Sequence, residues 1–325
     1  MESKELENIK TSILKNLDLI CDKLEINKNQ IILFGFRGSI AHNLYLEGSD
    51  VDLMVIYCNP IDNYLSVKST IKESVHLEIE IDSYKLDIVG YDIRKIFSLL
   101  LNSNPNVIDF LFMDKDMYIY SDNLNIGRDI LLAKSLFLSK DIARTYGAYG
   151  LNQLERMTKI DDKSYNGYMG EKRKDIVDKF GYDTKNASHC IRLLTTALEV
   201  LETGVLQVKR EYDRYLYLDI KLGKYSLERI KNLATSLEDK LNIYESIDSE
   251  VLPHSLDTEK IQRLLLDSIK SWDNYICRSS KKLIDTEIIE KDQVNLHTKI
   301  TEEIVPPTPK KRGRPSKLSK LLEGN

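Results

Sequence analysis

Two aspartates separated by one residue, Asp50 and Asp52, stand at the start of the apolar run VDLMVIY. Side chains two apart in a strand point to the same side, so both carboxylates face one way while Val51 faces the other. Carboxylate oxygens suit hard divalent cations, and Mg²⁺ (or Mn²⁺) typically combines a few carboxylates with substrate phosphates. Two such ions, roughly 3.5–4 Å apart, hold the attacking and leaving oxygens of a displacement on phosphorus. The spacing therefore predicts a two-metal site that acts on a phosphate.

A third carboxylate on a neighbouring strand would complete this site. Asp87, in the segment YKLDIVG, is the candidate because it lies in an apolar extended run, where an unpaired charge is costly. Asp82 and Asp92 are the next choices. We therefore predict that Asp50, Asp52 and Asp87 are the catalytic residues and the metal ligands.

A Gly-Ser pair, Gly38 and Ser39, precedes the aspartates by a short spacer. Glycine lets the backbone approach an anion closely, and serine offers a hydroxyl and an amide. The following segment SIAHNLYL is predicted to be a helix whose positive end points to the same place. Together with Ser49, this turn is predicted to bind the triphosphate of a nucleotide. A lone Asp-x-Asp pattern also fits an exposed strand end, but its combination with Gly-Ser favours a site.

Lys185, His189 and Arg192 recur at helical spacing in DTKNASHCIRLL, opposite the apolar positions of that segment. This face is predicted to bind the nucleotide triphosphate or an acceptor strand. The alternative is a solvated basic face with an internally bonded histidine. The basic segment GEKRK at 170–174 either closes over phosphate or is an ordinary surface loop.

The elements that position these residues divide into two regions. Apolar extended runs alternate with short helices up to about residue 125, and almost every later segment has helical periodicity. We predict an α+β protein with three parts: a catalytic domain with a mixed sheet at 1–125, a helical substrate-binding domain at 126–284, and a polar linker with a basic tail at 285–325.

The composition is that of a globular protein. Of 325 residues, 42% are hydrophobic and 30% are charged, and the net charge is −4. The sequence contains no 18-residue apolar run, so we expect no membrane partner. The first residues are charged rather than signal-like, and the four cysteines lack CxxC spacing. These features favour a cytoplasmic protein.

The C-terminal segment KKRGRPSK concentrates positive charge around a Gly-Arg-Pro core. Such a core resembles an AT-hook, which lies in the narrow minor groove of duplex DNA while flanking cations meet phosphates. A solubilising tail is an equal alternative. The residues predicted to bind DNA are Lys311, Arg312, Gly313, Arg314 and Pro315.

The stretch GSIAHNLYLEGSDVDLMVIY resembles the signature of the DNA polymerase β superfamily of nucleotidyltransferases. Further segments, including DIVGYDIRKIFSLLLNSNPNVIDFLF and VLPHSLD, resemble the bacterial and phage branch described as RNA-repair-pathway nucleotidyltransferases. The resemblance covers most of residues 30–265. It implies a metal-dependent transferase with a helical domain behind the catalytic one, and it supports Asp87 as the third carboxylate. Asn43 stands where these proteins often have Gly, and Asp109 where they often have Glu.

We therefore expect a nucleotidyltransferase that uses two Mg²⁺ (or Mn²⁺) ions to move a nucleoside monophosphate from an NTP, such as ATP, to a hydroxyl. The expected acceptor is a nucleic acid, an RNA 3′ end, and pyrophosphate is released. One alternative is nucleotidylation of a small molecule or a protein side chain. Another is an inactive protein that tethers DNA, against which the presence of all three aspartates argues.

Overall fold

A computed structural model describes residues 3–68, 71–122, 125–158, 171–246 and 251–276. The chain up to Asp273 forms one compact unit, in which a mixed sheet combines with helices. The predicted α+β class is therefore confirmed. The basic tail predicted to bind DNA lies outside the described residues, and its role stays a prediction, as do the three domain boundaries.

The sheet has five strands within the described residues. They are β1 (Ile31–Phe36), β2 (Val51–Tyr57), β3 (Ser74–Ile81), β4 (Tyr84–Asp92) and β5 (Tyr118–Ser121). Their order is β3-β4-β2-β1-β5, and β2 and β4 run parallel whereas the other neighbours run antiparallel. Every residue of β1 is buried, and Asp52 alone is partly exposed in β2. The two apolar strands predicted around the Gly-Ser pair thus form the centre of the sheet.

Helices pack against the sheet and make up most of the described chain from residue 126 onward. They are α1 (Ser3–Lys15), α2 (Leu17–Leu24), α3 (Gly38–Ala41), α4 (Ile61–Leu65), α5 (Ile93–Leu101), α6 (Pro105–Phe112), α7 (Ile126–Leu132), α8 (Asp141–Thr158), α9 (Glu171–Phe180), α10 (Thr184–Thr203), α11 (Arg214–Lys221), α12 (Leu227–Ser246) and α13, which begins at residue 258. The long helix α10 is largely buried and packs against α8, α11 and α12. It is the core of the helical region.

Polar caps set the starts of the helices that frame the site. Asp92 accepts a hydrogen bond from Arg94 N at the start of α5, and Asn104 accepts one from Asn106 N at the start of α6. Asp183 caps α10 in the same way, and Gly204 ends this helix with a φ of +70°. These side chains satisfy backbone N–H groups that a helix leaves open.

The helix predicted over SIAHNLYL is wrong in its length, because α3 ends at Ala41. The chain turns after it, and Asn43 adopts a φ of +60°. Asn43 Nδ2 donates to Arg210 O at 3.1 Å, and Arg214 Nε donates to Asn43 O at 2.8 Å. Asparagine tolerates the left-handed region better than most residues. A glycine at this position would adopt the same conformation without strain.

Among the described residues, no helix combines the length and the apolar character that a bilayer crossing requires.

Candidate functional site

A cleft of about 500 Å³ lies where the sheet meets the helical region. The sheet side contributes Arg37, Gly38, Ser39, Ala41, His42, Leu44, Ser49, Asp50 and Asp52; α6 and its end contribute Asn106, Asp109, Phe110 and Met113; the helical side contributes Arg173, Lys185, Asn186, Ser188, His189, Arg192 and Lys221. Acidic residues therefore come mainly from the sheet, and basic residues mainly from the helices.

Two of the three predicted aspartates lie side by side on neighbouring strands, and the third is close to them in the chain. Asp52 on β2 pairs in register with Asp87 on β4, so their side chains lie beside each other on the same face. Asp50 immediately precedes β2, two residues before Asp52. It lines both the main cleft and an adjoining depression that contains Asp87. The structure thus places Asp52 beside Asp87 with Asp50 nearby, and their role as metal ligands stays a prediction.

The two alternative carboxylates have other partners. Asp82 accepts a hydrogen bond from Ser12 Oγ at 2.7 Å. Asp92 is buried and accepts from Asn59 Nδ2 at 2.7 Å and from Tyr64 Oη at 2.6 Å. Both therefore act in packing around the sheet.

Two basic residues lie against the aspartates. Arg37 Nη2 is 3.9 Å from Asp52 Oδ1 and 3.5 Å from Asp87 Oδ2, and His76 Nε2 is 2.9 Å from Asp87 Oδ1. Burial raises the pKa of Asp52, Arg37 opposes this rise, and the nearby charges of Asp87 and Asp50 add to it. The carboxylates therefore repel one another, and Arg37 offsets part of that repulsion.

These carboxylates suit a hard cation by their donor chemistry. All three offer oxygen ligands, and Gly38 lacks the Cβ that would otherwise fill the space beside Asp52, 2.2 Å from its Oδ2. Among the described residues, no three His, Cys, Asp or Glu side chains converge into a ready-made metal centre. Arg37 instead lies between two of the carboxylates. The residues fit Mg²⁺ in the kind of oxygen ligand they offer, and the Arg37 guanidinium lies against two of them.

The Gly-Ser turn lies directly over Asp52. Gly38 has a φ of +61°, Arg37 N donates to Asp52 O at 2.9 Å, and Leu44 N donates to Ser39 O at 2.7 Å. A helix of four residues sums few peptide dipoles, so α3 contributes little of the positive potential that a longer helix offers. Any anion at this turn depends mainly on cationic side chains from elsewhere.

The three basic residues predicted on α10 all lie on the cleft. Lys185 is exposed, whereas Arg192 is buried and its Nη1 donates to Asp109 Oδ2 at 3.0 Å. Burial, and then the charge of Arg192, lowers the pKa of His189 to about 3, so this imidazole is neutral at pH 7. The predicted nucleotide-binding role of these residues stays a prediction.

Asp109 is the centre of a buried polar cluster. It accepts from Arg192, Tyr146 Oη donates to its Oδ1 at 2.8 Å, and His42 Nε2 lies 3.3 Å from its Oδ2. Burial alone would raise the pKa of Asp109, but the Arg192 guanidinium holds it well below its usual value. The cluster joins the segment after the Gly-Ser turn to α6, α8 and α10.

Sequence reasoning missed two basic residues at the site, Arg37 and Lys221, and left a third, Arg173, open between a phosphate contact and an ordinary surface loop. Arg37 directly precedes the Gly-Ser pair, which was a usable signal. Arg173 lies in the basic segment GEKRK, and its Nη1 donates to Asp183 Oδ2 at 3.1 Å. Lys221 ends α11, and its Nζ donates to Leu44 O at 2.9 Å. No residue close to Lys221 in the sequence indicates a site, because the residues that surround Lys221 in the cleft come from other helices and strands.

Comparisons with known proteins identify the family of this chain. A family model described as RlaP, the RNA repair pathway DNA polymerase beta family, matches residues 9–267. A solved structure, a nucleotidyltransferase-like protein from Exiguobacterium sibiricum, aligns with 84% of this chain and 92% of its own at 14% identity and a TM-score of 0.30, which is too low to support an argument. A search of curated proteins found no match. Because the family model covers most of the chain, the protein belongs to the RNA repair pathway DNA polymerase beta family and is a nucleotidyltransferase.

Proposed function

We propose that the protein transfers a nucleoside monophosphate from an NTP to a hydroxyl of a nucleic acid, an RNA 3′ end, in a reaction that depends on Mg²⁺ or Mn²⁺. One observation carries this proposal. Asp50 and Asp52 lie on the sheet side of a cleft whose helical side presents Lys185 and Lys221, so negative and positive groups face one space. A metal-bound triphosphate needs both kinds of group.

In this reaction the acceptor oxygen bonds to the α-phosphorus, and the bond from that phosphorus to the bridging oxygen of pyrophosphate breaks. When bound, the divalent cations neutralise charge on the phosphates and make the acceptor hydroxyl easier to deprotonate. Asp50, Asp52 and Asp87 would hold the cations, and Asp87 would also take up the proton of the acceptor hydroxyl. Gly38, Ser39 and Ser49 hold the triphosphate through backbone and hydroxyl groups.

The helical side of the cleft orients the nucleotide. Lys185 supplies a point charge, and His189, neutral at pH 7, supplies a hydrogen-bonding ring. Arg192 lines the same cleft while it donates to Asp109, so part of its charge is already neutralised. Its main contribution is to fix the position of α10 against α6.

A nucleic acid acceptor is supported by the description of the family, which concerns RNA repair. The competing acceptors are a small molecule and a protein side chain. Incubation of the purified protein with each labelled NTP, Mg²⁺ or Mn²⁺, and RNA, DNA, protein and small-molecule acceptors distinguishes them. Label on the 3′ end of RNA is the expected result, and label found only on protein or small molecules would contradict the acceptor.

Replacement of Asp87 by asparagine tests the carboxylate site. The variant loses one anionic ligand and the proton acceptor, so we expect the rate of transfer to fall by at least about 100-fold. Loss of a residue that only orients a metal ligand costs at most about 100-fold. Mn²⁺ binding followed by electron paramagnetic resonance should weaken in parallel, while the melting temperature changes little.

Asp116→Asn is the matched control because Asp116 is exposed and lies outside the cleft. It should keep both transfer and Mn²⁺ binding. Near-normal turnover by the Asp87→Asn protein would show that Asp87 is not the third ligand.

A further inference from the structure

We infer that Lys221, with Lys185, binds the terminal phosphates of the NTP from the helical side of the cleft. This inference rests on the proposed function, and it names the group that neutralises the leaving pyrophosphate. Lys221 ends α11, far in sequence from both the Gly-Ser turn and the basic face of α10.

The position of Lys221 ties it to the turn that is proposed to hold the triphosphate. Its Nζ donates to Leu44 O at 2.9 Å, and Leu44 N in turn donates to Ser39 O at 2.7 Å. An ammonium has three N–H donors, and a single backbone carbonyl uses one. The remaining donors are available to a ligand in the cleft, which Lys221 lines together with Gly38 and Ser39.

The fold pairs its other buried cations with carboxylates. Arg192 donates to Asp109 at 3.0 Å, and Arg210 donates to Glu199 at 2.6 Å. Within the described part of the chain, no carboxylate lies within ion-pairing distance of Lys221 or Lys185. A partly buried lysine without a carboxylate partner is costly unless a ligand supplies the negative charge.

The electrostatics around Lys221 agree with this reading. Burial lowers its pKa to about 8, the positive charges of Lys185 and Arg192 act in the same direction, and Asp52 opposes them. Three cationic groups thus repel one another across the helical side of the cleft. A triphosphate placed between Lys185, Lys221 and the Gly-Ser turn would remove this repulsion.

A triphosphate fits better than the backbone of an acceptor strand. Lys221 is anchored to Leu44 O, and Leu44 N bonds to Ser39 O, so the ammonium is tied to the Gly-Ser turn, where the four-residue helix α3 adds little positive potential. Three adjacent phosphates need several cations in a small volume, whereas a single-stranded backbone spreads its charges along a groove. The carbonyl anchor at Leu44 holds the ammonium at one point.

Binding of inorganic tripolyphosphate, measured by isothermal titration calorimetry without metal, tests the inference directly. Lys221→Met should weaken binding by about 10- to 100-fold, as expected for a lost charge-assisted hydrogen bond. Lys221→Arg should stay close to wild type because it keeps the charge. Lys224→Met is the matched control, since Lys224 is exposed and pairs with Asp219 at 2.7 Å; it should bind as wild type does.

Steady-state kinetics give a second readout. Lys221→Met should raise KM for the NTP while KM for the acceptor oligonucleotide stays constant. If Lys221→Met does not fold by circular dichroism, Lys185→Met replaces it, because Lys185 is exposed and its loss should weaken tripolyphosphate binding several-fold without unfolding.

The outcomes separate this inference from the proposed function. Lys221-dependent tripolyphosphate binding without any nucleotidyl transfer would leave the inference standing and overturn the proposed function. Unchanged tripolyphosphate affinity in both lysine variants would overturn the inference. Loss of affinity for the oligonucleotide alone would also overturn it, because it would assign Lys221 to the acceptor.

Discussion

Replacing Gly38 by alanine would drive a methyl group into the carboxylate of Asp52. The added Cβ would lie 2.2 Å from Asp52 Oδ2 and 2.8 Å from its Cγ, whereas real Cβ atoms are essentially never found within 3.0 Å of another heavy atom. The carboxylate must therefore move by about 1 Å, and a misplacement of that size costs on the order of 100-fold in rate. The left-handed φ of +61° adds a backbone strain of roughly 1 kcal/mol.

Gly181→Ala separates these two effects. Gly181 has a φ of +78° with no atom within 4 Å of an added Cβ, so alanine there causes backbone strain without displacing a carboxylate. Both variants should lose about 1 kcal/mol in urea unfolding. Only Gly38→Ala should lose transfer activity and Mn²⁺ affinity.

The measurements are single-turnover transfer of labelled NMP and Mn²⁺ binding by electron paramagnetic resonance. Equal activity losses in the two variants would attribute the defect to strain and refute the reasoning from the Gly38–Asp52 contact. Full activity in Gly38→Ala would show that Asp52 does not need its present position.

Two further predictions follow from the charged groups. Asp109→Asn leaves the buried Arg192 charge without its partner, so the free energy of unfolding in urea should fall by about 3–5 kcal/mol. Asp109→Glu keeps the charge and should lose far less. A loss below about 1 kcal/mol in Asp109→Asn would contradict the pairing. Lys221 faces Lys185 and Arg192 on α10 and Asp52 on β2, and its pKa is lowered to about 8. Its charge is present below pH 8 and lost above it, so the tripolyphosphate affinity of the wild type relative to that of Lys221→Arg should fall between pH 7 and 9.5. Titration of the ligand affects both proteins equally. A constant ratio of the two affinities over this range would be inconsistent with the lowered pKa of Lys221.

Much of the sheet could be predicted because its signals are local. The apolar runs around the Gly-Ser pair form β1 and β2, and the two-residue spacing of Asp50 and Asp52 places both beside the cleft. Asp87 is preferred to Asp82 and Asp92 for its apolar setting, and the structure gives those two hydrogen-bonding partners elsewhere. The role of Asp87 as the third metal ligand stays a prediction. A charged residue in an apolar strand is informative because it is costly unless something binds it.

The length of α3 could not be predicted in the same way. The sequence SIAHNLYL has helical periodicity, yet the chain leaves the helix after Ala41 because Asn43 bonds to Arg210 and Arg214, which are remote in sequence. Likewise, the basic face of α10 was recognised from spacing, but only the fold pairs Arg192 with Asp109 and leaves Lys185 exposed.

The sequence by itself determined the local elements of this protein: the two aspartates at the start of an apolar strand, the glycine at the turn, and the alternation of apolar and polar positions. Each depends on backbone stereochemistry over a few residues. The tertiary structure decided which charges are neutralised and which face the cleft. Arg37 lies against Asp52 and Asp87, and Lys221 is anchored to Leu44, through contacts between segments far apart in the chain. Charge interactions depend on distance and burial, and these are set only when the elements pack together.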